Sequence, residues 1–343
     1  MSKHSKSYIE STLSKQEPAF EIPLRPQCLE DFVGQDSIRD RLEVLIGAAR
    51  QRGETLGHCL FSGPPGLGKT TLATILSKAM GTNLVLTSGP VIEKAGDLAG
   101  ILTSLKTGDV LFIDEIHRLN RAIEEYLYQA MEDFTLDLMI DSGPNARSIQ
   151  VKLNRFTLAA ATTRLGLLSE PLRSRFAFTC RLEYYDPLIL QRILLRTSLI
   201  LNVGLEEAAA LEIAKRSRGT PRIANHLLRW VRDFAQMRAN NYIDVSVVNQ
   251  ALGMLSIDEK GLDEMDKKML RIMIDHYNGG PVGVNAIAAS IGEEPSTVEE
   301  VYEPYLIMQG LLKRTSRGRE VTSLGYRHMN QKEESATSLI KEK

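Results

Sequence analysis

The sequence predicts an α/β fold: a three-layer, mostly parallel α/β domain, then a small helical domain and a winged-helix domain. Three observations carry that expectation. Short apolar runs alternate with helix-period segments between residues 23 and 185, as in a parallel sheet covered on both faces. From Pro187 the pattern is helical throughout. The chain then closes on helix-period segments and a glycine-containing hairpin, the order of a winged helix.

Residues 1–22 are polar and weakly periodic and are expected to form a flexible amino-terminal tail. The large domain is expected over 23–185. Ile38, Leu42, Leu45, Ile46 and Ala49 fall on one helical face after a candidate N-cap, Asp36. Buried strands are expected at 58–61, 84–87, 110–113, 156–160 and 179–182, with helices at 70–80, 97–105 and 123–131. Between Glu132 and Phe156 the period changes to two. Leu136, Leu138 and Ile140 alternate, a turn is expected at 141–144, and Ile149, Val151 and Leu153 alternate again, giving an inserted hairpin over 136–153. A simple extension of the sheet is the plain reading; a protruding apolar hairpin is better explained as a surface for a partner.

The small helical domain is expected over 186–256, where Thr220-Pro221 reads as an N-cap followed by a first-turn proline. The winged helix is expected over 257–330 and a flexible tail over 331–343. Lys313, Arg314, Arg317 and Arg319 crowd the wing, which has no aromatic residue for stacking on bases. Surface arginines are usually only solvated, but this density beside a helix-turn-helix pattern points to contact with nucleic-acid phosphates, insensitive to sequence.

The bulk composition sets limits on function. At 343 residues, 43% hydrophobic and 25% charged, the chain can bury more than one core, and its net charge of −1 requires any basic surface to be local. No apolar stretch is long enough to span a bilayer and the amino terminus has no hydrophobic signal core, so a cytoplasmic protein without membrane contact is expected. Cys28, Cys59 and Cys180 are scattered, without the spacing of a disulfide framework or a zinc site.

Two motifs carry the chemistry. The run GPPGLGKT at 63–70 lies between an apolar strand pattern and a helix pattern. Gly63, Gly66 and Gly68 let several backbone N–H groups face one anion at a helix start. Lys69 is expected to reach the β- and γ-phosphates of ATP, Thr70 to face Mg2+, and Thr71 to face the α-phosphate. The run VLFIDE at 110–115 delivers Asp114 and Glu115 at a strand end. Asp114 is expected to hold the water shell of the metal, and Glu115 to orient or deprotonate the attacking water. Acids at strand ends are often merely solvated; the phosphate loop upstream decides for function.

Further residues fit one superfamily. Thr162-Thr163 ends the strand after the hairpin, LRSRF follows at 172–176, and Arg222 stands at a later helix start. This order resembles the AAA+ P-loop NTPases. The likeness implies that Thr163 senses the γ-phosphate, that Arg175 acts in trans on the ATP of a neighbouring subunit with Arg173 as the alternative, and that Arg222 reports nucleotide state. A trans arginine requires a ring or filament, and can raise the rate of phosphoryl transfer by about 10³ to 10⁵.

The segments FVGQ at 32–35, TSGPVIEKAGDLAGILTSL at 87–105, DVLFIDEIHRLN at 109–120, ATTRLGLLSEPLRSRF at 161–176 and RGTPRIANHLLRWVRDFA at 218–235 resemble the RuvB family of Holliday-junction branch-migration motors. GGPVGVNAIAASIGEEPSTVEEVYEPYLIMQGLLKRTSRGR at 279–319 extends the likeness through all three domains. The resemblance implies that Leu24, Arg25 and Tyr185 border the nucleotide and that Gly66, Lys69, Thr70 and Thr71 hold the phosphates. It also implies that Glu132, Asp133 and Phe134 lie near the same pocket and that Arg314 and Arg319 contact DNA. It further implies a homohexamer acting in DNA recombination, repair and the SOS response on Holliday junctions and duplex DNA, a RuvA-like partner docked on 136–153, and a RuvC-like resolvase in the same complex. Ser174 and Ala177 depart from the aspartate and glycine common in the family, which affects only packing around Arg175. A clamp-loader switch and a nucleotide-gated DNA-binding regulator are the rivals. The first lacks its usual Ser-Arg-Cys motif here, and the second leaves Glu115 and Arg175 without a task.

Overall fold

The computed structural model describes residues 8–14, 23–139 and 148–329; the expected turn at 141–144 and the tail at 331–343 lie outside the described residues. The chain falls into two compact units, residues 19–189 and residues 1–18 with 190–343. A short helix, α1 (Tyr8–Ser14), belongs to the second of these.

The first unit begins with α2 (Asp36–Arg52), which buries the expected face through Ile38, Leu42, Ile46 and Ala49 and ends on Gly53 in the left-handed region. It continues through β1 (Cys59–Ser62), α3 (Lys69–Met80), β2 (Leu84–Ser88), α4 (Ala95–Ser104), β3 (Val110–Asp114) and α5 (Arg121–Glu132). The hairpin β4 (Thr135–Met139) and β5 (Ser148–Lys152) follows, then β6 (Thr157–Thr162), α6 (Glu170–Ser174) and β7 (Phe178–Arg181). The main sheet has the order β2-β3-β6-β1-β7 with every neighbour parallel. The central strands β1 and β6 are buried at every residue, as in a sheet covered on both faces, whereas the edge strand β7 alternates buried and exposed.

Parallel strands place all their carboxyl ends along one edge of the sheet and all their amino ends along the other. His58 fastens the amino edge: its Nε2 donates to the Met131 carbonyl at 3.1 Å and its Nδ1 accepts from the Leu158 N–H at 2.9 Å. Phe134 meets Phe156 edge to face at 5.8 Å, beside the His58 ring. The hairpin is rooted there, with Leu136 and Leu153 buried while Ile149 is 49% exposed. Ile149 and Leu153 lie on one face, so burial falls along the hairpin from its root outward.

In the second unit α7 (Pro187–Ile200) leads into α8 (Glu207–Lys215), α9 (Pro221–Arg238) and α10 (Val245–Met254), with a small parallel pair β8 (Gly204–Leu205) and β9 (Tyr242–Ile243). Thr220 caps α9 by accepting the Ile223 N–H, with Pro221 as first helical residue. The winged helix comprises α11 (Glu264–Tyr277), α12 (Val284–Ile291), α13 (Pro295–Thr297), a π turn (Val298–Tyr302), α14 (Glu303–Met308), the wing strands β10 (Leu312–Thr315) and β11 (Gly318–Val321), and α15 (Ser323–His328). Val282 bridges Arg319 beside the antiparallel β10–β11 pair.

The expectation of a structureless tail over 1–22 fails at residues 8–14. Ile9 is fully buried, the Tyr8 hydroxyl donates to the His226 carbonyl at 2.9 Å, and Glu10 accepts from the Tyr302 hydroxyl at 3.0 Å. A seven-residue helix is marginal alone and persists through tertiary contacts, which composition does not reveal. Among the described residues no helix is long and apolar enough to cross a membrane. Cys28 is exposed and Cys59 and Cys180 are buried, all three free; burial pushes the thiols of Cys59 and Cys180 up to about 12.

Candidate active site

The carboxyl edge of the main sheet gathers the expected nucleotide residues. β1 runs into the phosphate loop at Ser62, β3 ends at Asp114, and β6 ends at Thr162 beside β1, with Ser62 opposite Thr162. Gly63, Gly66 and Gly68 all have positive φ. At Gly63 the close approach is backbone to backbone: a Cβ would stand 2.5 Å from the Leu182 carbonyl oxygen. Only glycine lets the chain turn there.

Lys69 opens α3 and is buried; its ammonium donates to the carbonyls of Gly63 and Pro64 at 2.8 and 2.7 Å. The charge is thereby held at the loop. Thr70 and Thr71 occupy the next positions of α3, so the loop, helix start and lysine form one anion-binding surface. Tyr185 is buried and its hydroxyl donates to the Leu67 carbonyl of the loop at 3.3 Å; burial raises its phenol well above the ordinary value. Leu24 is buried and Arg25 half-buried in the same unit.

Asp114 Oδ1 accepts the N–H of Glu115 at 2.9 Å, a contact that turns the chain at the strand end. Glu115 itself adopts the left-handed region, φ 47 and ψ 44, unusual for a residue with a side chain. Its carboxylate pairs with Arg118 at 2.9 Å. Thr162 Oγ1 lies 3.0 Å from His117 Nδ1 and is buried, whereas Thr163, the expected sensor, is exposed just past β6. Hydroxyl and carboxylate oxygens at Thr70 and Asp114 form a hard donor pair suited to Mg2+ shared with phosphates.

Arg175 lies elsewhere. It caps α6 three residues before β7, which joins the sheet at its amino edge through the Phe178 N–H and the His58 carbonyl. Its guanidinium pairs with Glu132 at 3.0 Å, donates to the Pro171 carbonyl and lies 4.8 Å from the Tyr128 ring centroid. Tyr128 is fixed in turn by Glu124 and Ser169 at 2.7 Å each. The Ser174 hydroxyl donates to the same Pro171 carbonyl at 3.0 Å, and Ala177 packs against Gly57, so both departures from the family pattern are absorbed locally.

Glu132, Asp133 and Phe134, which the resemblance places near the nucleotide pocket, stand apart from the phosphate loop within one chain. Glu132 ends α5 beside Met131, whose carbonyl meets His58, so all three residues stand with Arg175 at the amino edge. The length of β1, roughly 10 Å from first to last residue, separates them from the phosphate loop. In a parallel α/β unit the helix after a strand runs back, so the carboxyl end of α5 comes to the amino edge.

Arg222 is the second residue of α9 and half-buried. In the wing, Lys313 and Arg314 are 57% and 61% exposed in their side chains, and Arg317 is exposed. Arg319, which the resemblance pairs with Arg314 as a DNA contact, is largely buried. It is 6% exposed, donates to Glu303 at 2.8 and 3.1 Å and to Glu299 at 3.0 Å, and is held by the fold. Tyr128, Arg118 and His117 were not singled out from sequence. The i, i+3 spacing of Glu115 and Arg118 was a readable signal; Tyr128 with Arg175 was not, because 47 residues and a hairpin separate them.

The comparisons with known proteins agree on one family. The Holliday junction DNA helicase RuvB P-loop domain matches residues 24–182, the RuvB AAA lid domain 185–258 and the RuvB carboxyl-terminal winged helix domain 259–330. The RuvB subunit of the Holliday junction branch migration complex of Protochlamydia amoebophila is 87% identical over 325 residues, covering 95% of this chain and 98% of that protein. The corresponding subunit of Chlorobaculum tepidum is 58% identical over 308 residues, 90% of each chain. The solved Thermotoga maritima RuvB Holliday junction branch migration motor superposes with a TM-score of 0.83 at 50% identity, covering 90% of this chain and 99% of that one. With three contiguous domain matches and a relative this close, the chain belongs to the RuvB family of AAA+ ATPases.

Proposed function

We propose that subunits of this chain assemble into a hexameric ring that hydrolyses ATP with Mg2+ between neighbours and uses the cycle to move duplex DNA through a Holliday junction. The observation that carries this reading is the division of site residues between the two edges of one sheet. Lys69, Asp114 and Glu115 stand at the carboxyl edge and Arg175 with Glu132 at the amino edge. A complete site therefore needs two subunits, one presenting each edge.

In the reaction, the backbone of the loop and Lys69 bind the β- and γ-phosphates. Glu115 accepts a proton from the attacking water as its oxygen bonds to the γ-phosphorus, and the bond from that phosphorus to the β–γ bridging oxygen breaks to release ADP. Thr70 and Asp114 would hold Mg2+, which when bound would supply positive charge against the phosphate oxygens. Thr163 reads the γ-phosphate, and Arg175 of the neighbour stabilises the transition state. Arg222, in the lid, responds to nucleotide state; a ligand shifts a domain arrangement only through differential affinity, and Arg222 would supply it.

Exposed Lys313, Arg314 and Arg317 grip phosphates without reading sequence. The part of the β4–β5 hairpin beyond its buried root, where Ile149 is exposed, docks a RuvA-like junction-binding protein, with a RuvC-like resolvase in the same cytoplasmic complex. The test is a synthetic four-way junction with ATP, the purified protein and the partner. Lys69→Ala and Arg175→Ala subunits are each inactive alone, and mixing them restores part of the ATP-dependent strand separation. Failure of every mixture to recover activity would refute the shared site.

A further inference from the structure

The lid and the winged helix are joined by a charge cluster with no task in nucleotide or DNA binding. Arg218 sits in the turn between α8 and α9, four residues before Arg222, in the left-handed region at φ 53 and 3% exposed. Its guanidinium crosses into the winged helix. Nε donates to the Gly261 carbonyl at 3.0 Å, Nη2 pairs closely with Asp266 and stands 3.7 Å from Asp263, and the group lies 4.7 Å from the Tyr305 ring centroid. Tyr305 in turn donates to the Lys260 carbonyl.

The acids are as constrained as the arginine. Asp263 caps α11 by accepting the N–H groups of Met265 and Asp266 at 2.9 and 3.0 Å, while Asp266 accepts the Asp263 N–H at 2.9 Å. Asp263 and Asp266 are at most 1% exposed. Gly261 packs so closely on Arg216 that a Cβ would stand 2.7 Å from its carbonyl oxygen. Burial pushes the Asp266 carboxyl up to about 7 against the pull of Arg218. Two carboxylates against one guanidinium in a dry site is a poor way to gain stability, since an apolar contact of the same size serves as well. What such a site supplies is a single permitted geometry.

A second, independent tie joins the same two domains. α1 packs on α9 through Ile9 and the Tyr8 hydroxyl, and reaches the winged helix through Glu10 and Tyr302, residues 292 apart in sequence. We propose that Arg218 is a positioning residue which, with Asp266 and the α1 strap, locks the lid and the winged helix into one rigid arm. A nucleotide-driven turn of Arg222 and α9 then reaches the DNA-gripping wing without being absorbed at the joint. The proposal rests on the motor reading above and adds a transmission element to it.

Rigidity is measured first in the otherwise unaltered arm. Cys28→Ser is combined with cysteines placed at the exposed lid position Met237 and the exposed α11 position Arg271, which are labelled with a donor and acceptor dye pair. Transfer efficiency within a subunit is expected to be the same with ADP and with a slowly hydrolysed ATP analogue; a nucleotide-dependent change overturns the rigid arm. In parallel, Arg218→Gln, Asp266→Asn and Tyr302→Phe are assayed for ATP turnover and for junction strand separation with the partner. The expected result for Arg218→Gln and Asp266→Asn is a rise of roughly 5-fold or more in ATP consumed per junction separated, with Arg218→Lys intermediate. If activity and turnover fall together so that this ratio is unchanged, the cluster is structural only and the proposal fails. Absence of strand separation by the parent protein would instead sink the motor reading, while the dye measurement still judges the arm.

Discussion

Arg175 and Glu132 form an ion pair at 3.0 Å on the amino edge of the main sheet, with the whole of β1 between them and the loop that holds Lys69. The arginine is seated within the chain itself by Glu132, Tyr128 and the Pro171 carbonyl. A group fixed in this way loses less freedom when it engages a phosphate.

Replacing Arg175 by Ala is therefore expected to lower kcat by about 10³-fold or more while ATP affinity changes far less, as measured by steady-state turnover and nucleotide titration. Glu132→Gln should leave folding within about 1 kcal/mol, because the pair is only partly shielded from solvent. A loss of turnover in that variant reports on the seating of the finger.

Glu115→Gln is expected to retain ATP and to reduce turnover by about 10²- to 10⁴-fold, the usual worth of a positioned base. Turnover at the parental rate would remove Glu115 from its role. Arg118→Ala, which deletes an exposed pair, should shift stability by less than about 1 kcal/mol.

The two wing arginines should behave oppositely. Arg314→Ala is expected to weaken DNA binding across all sequences and to reduce the salt slope by about 1, with little change in Tm. Arg319→Ala strips a buried partner from Glu303, itself 3% exposed, and should cost about 3–5 kcal/mol of stability, read from thermal or urea unfolding. Equal melting of both variants would refute this division.

His58 gives a pH dependence with a definite sign. Burial holds its imidazole below the ordinary value of 6.5, and protonation at Nδ1 breaks its bond from the Leu158 N–H. The unfolded chain takes up the proton first, so the contribution of His58 is complete above pH 6.5 and is lost as pH falls below it. Against His58→Gln, the parent should lose stability on going from neutral to acidic buffer by at most about 1.4 kcal/mol per pH unit.

Much of this was legible in the sequence because it rests on local chemistry. GPPGLGKT between a strand and a helix, an apolar run ending in Asp114-Glu115, and Thr220-Pro221 at a helix start each declare themselves through neighbours a few residues away. The period-2 runs marked the hairpin, and its antiparallel pairing follows the expected alternation. Which distant residues meet was decided only by tertiary structure. That is why Glu132 pairs with Arg175, why Arg319 is buried under Glu299 and Glu303, and why Tyr8–Ser14 is a packed helix. The physical reason is the range of the forces involved. Turn geometry, capping and strand alternation are set within one or two turns of chain, whereas burial and ion pairing depend on which distant segments close-packing brings together.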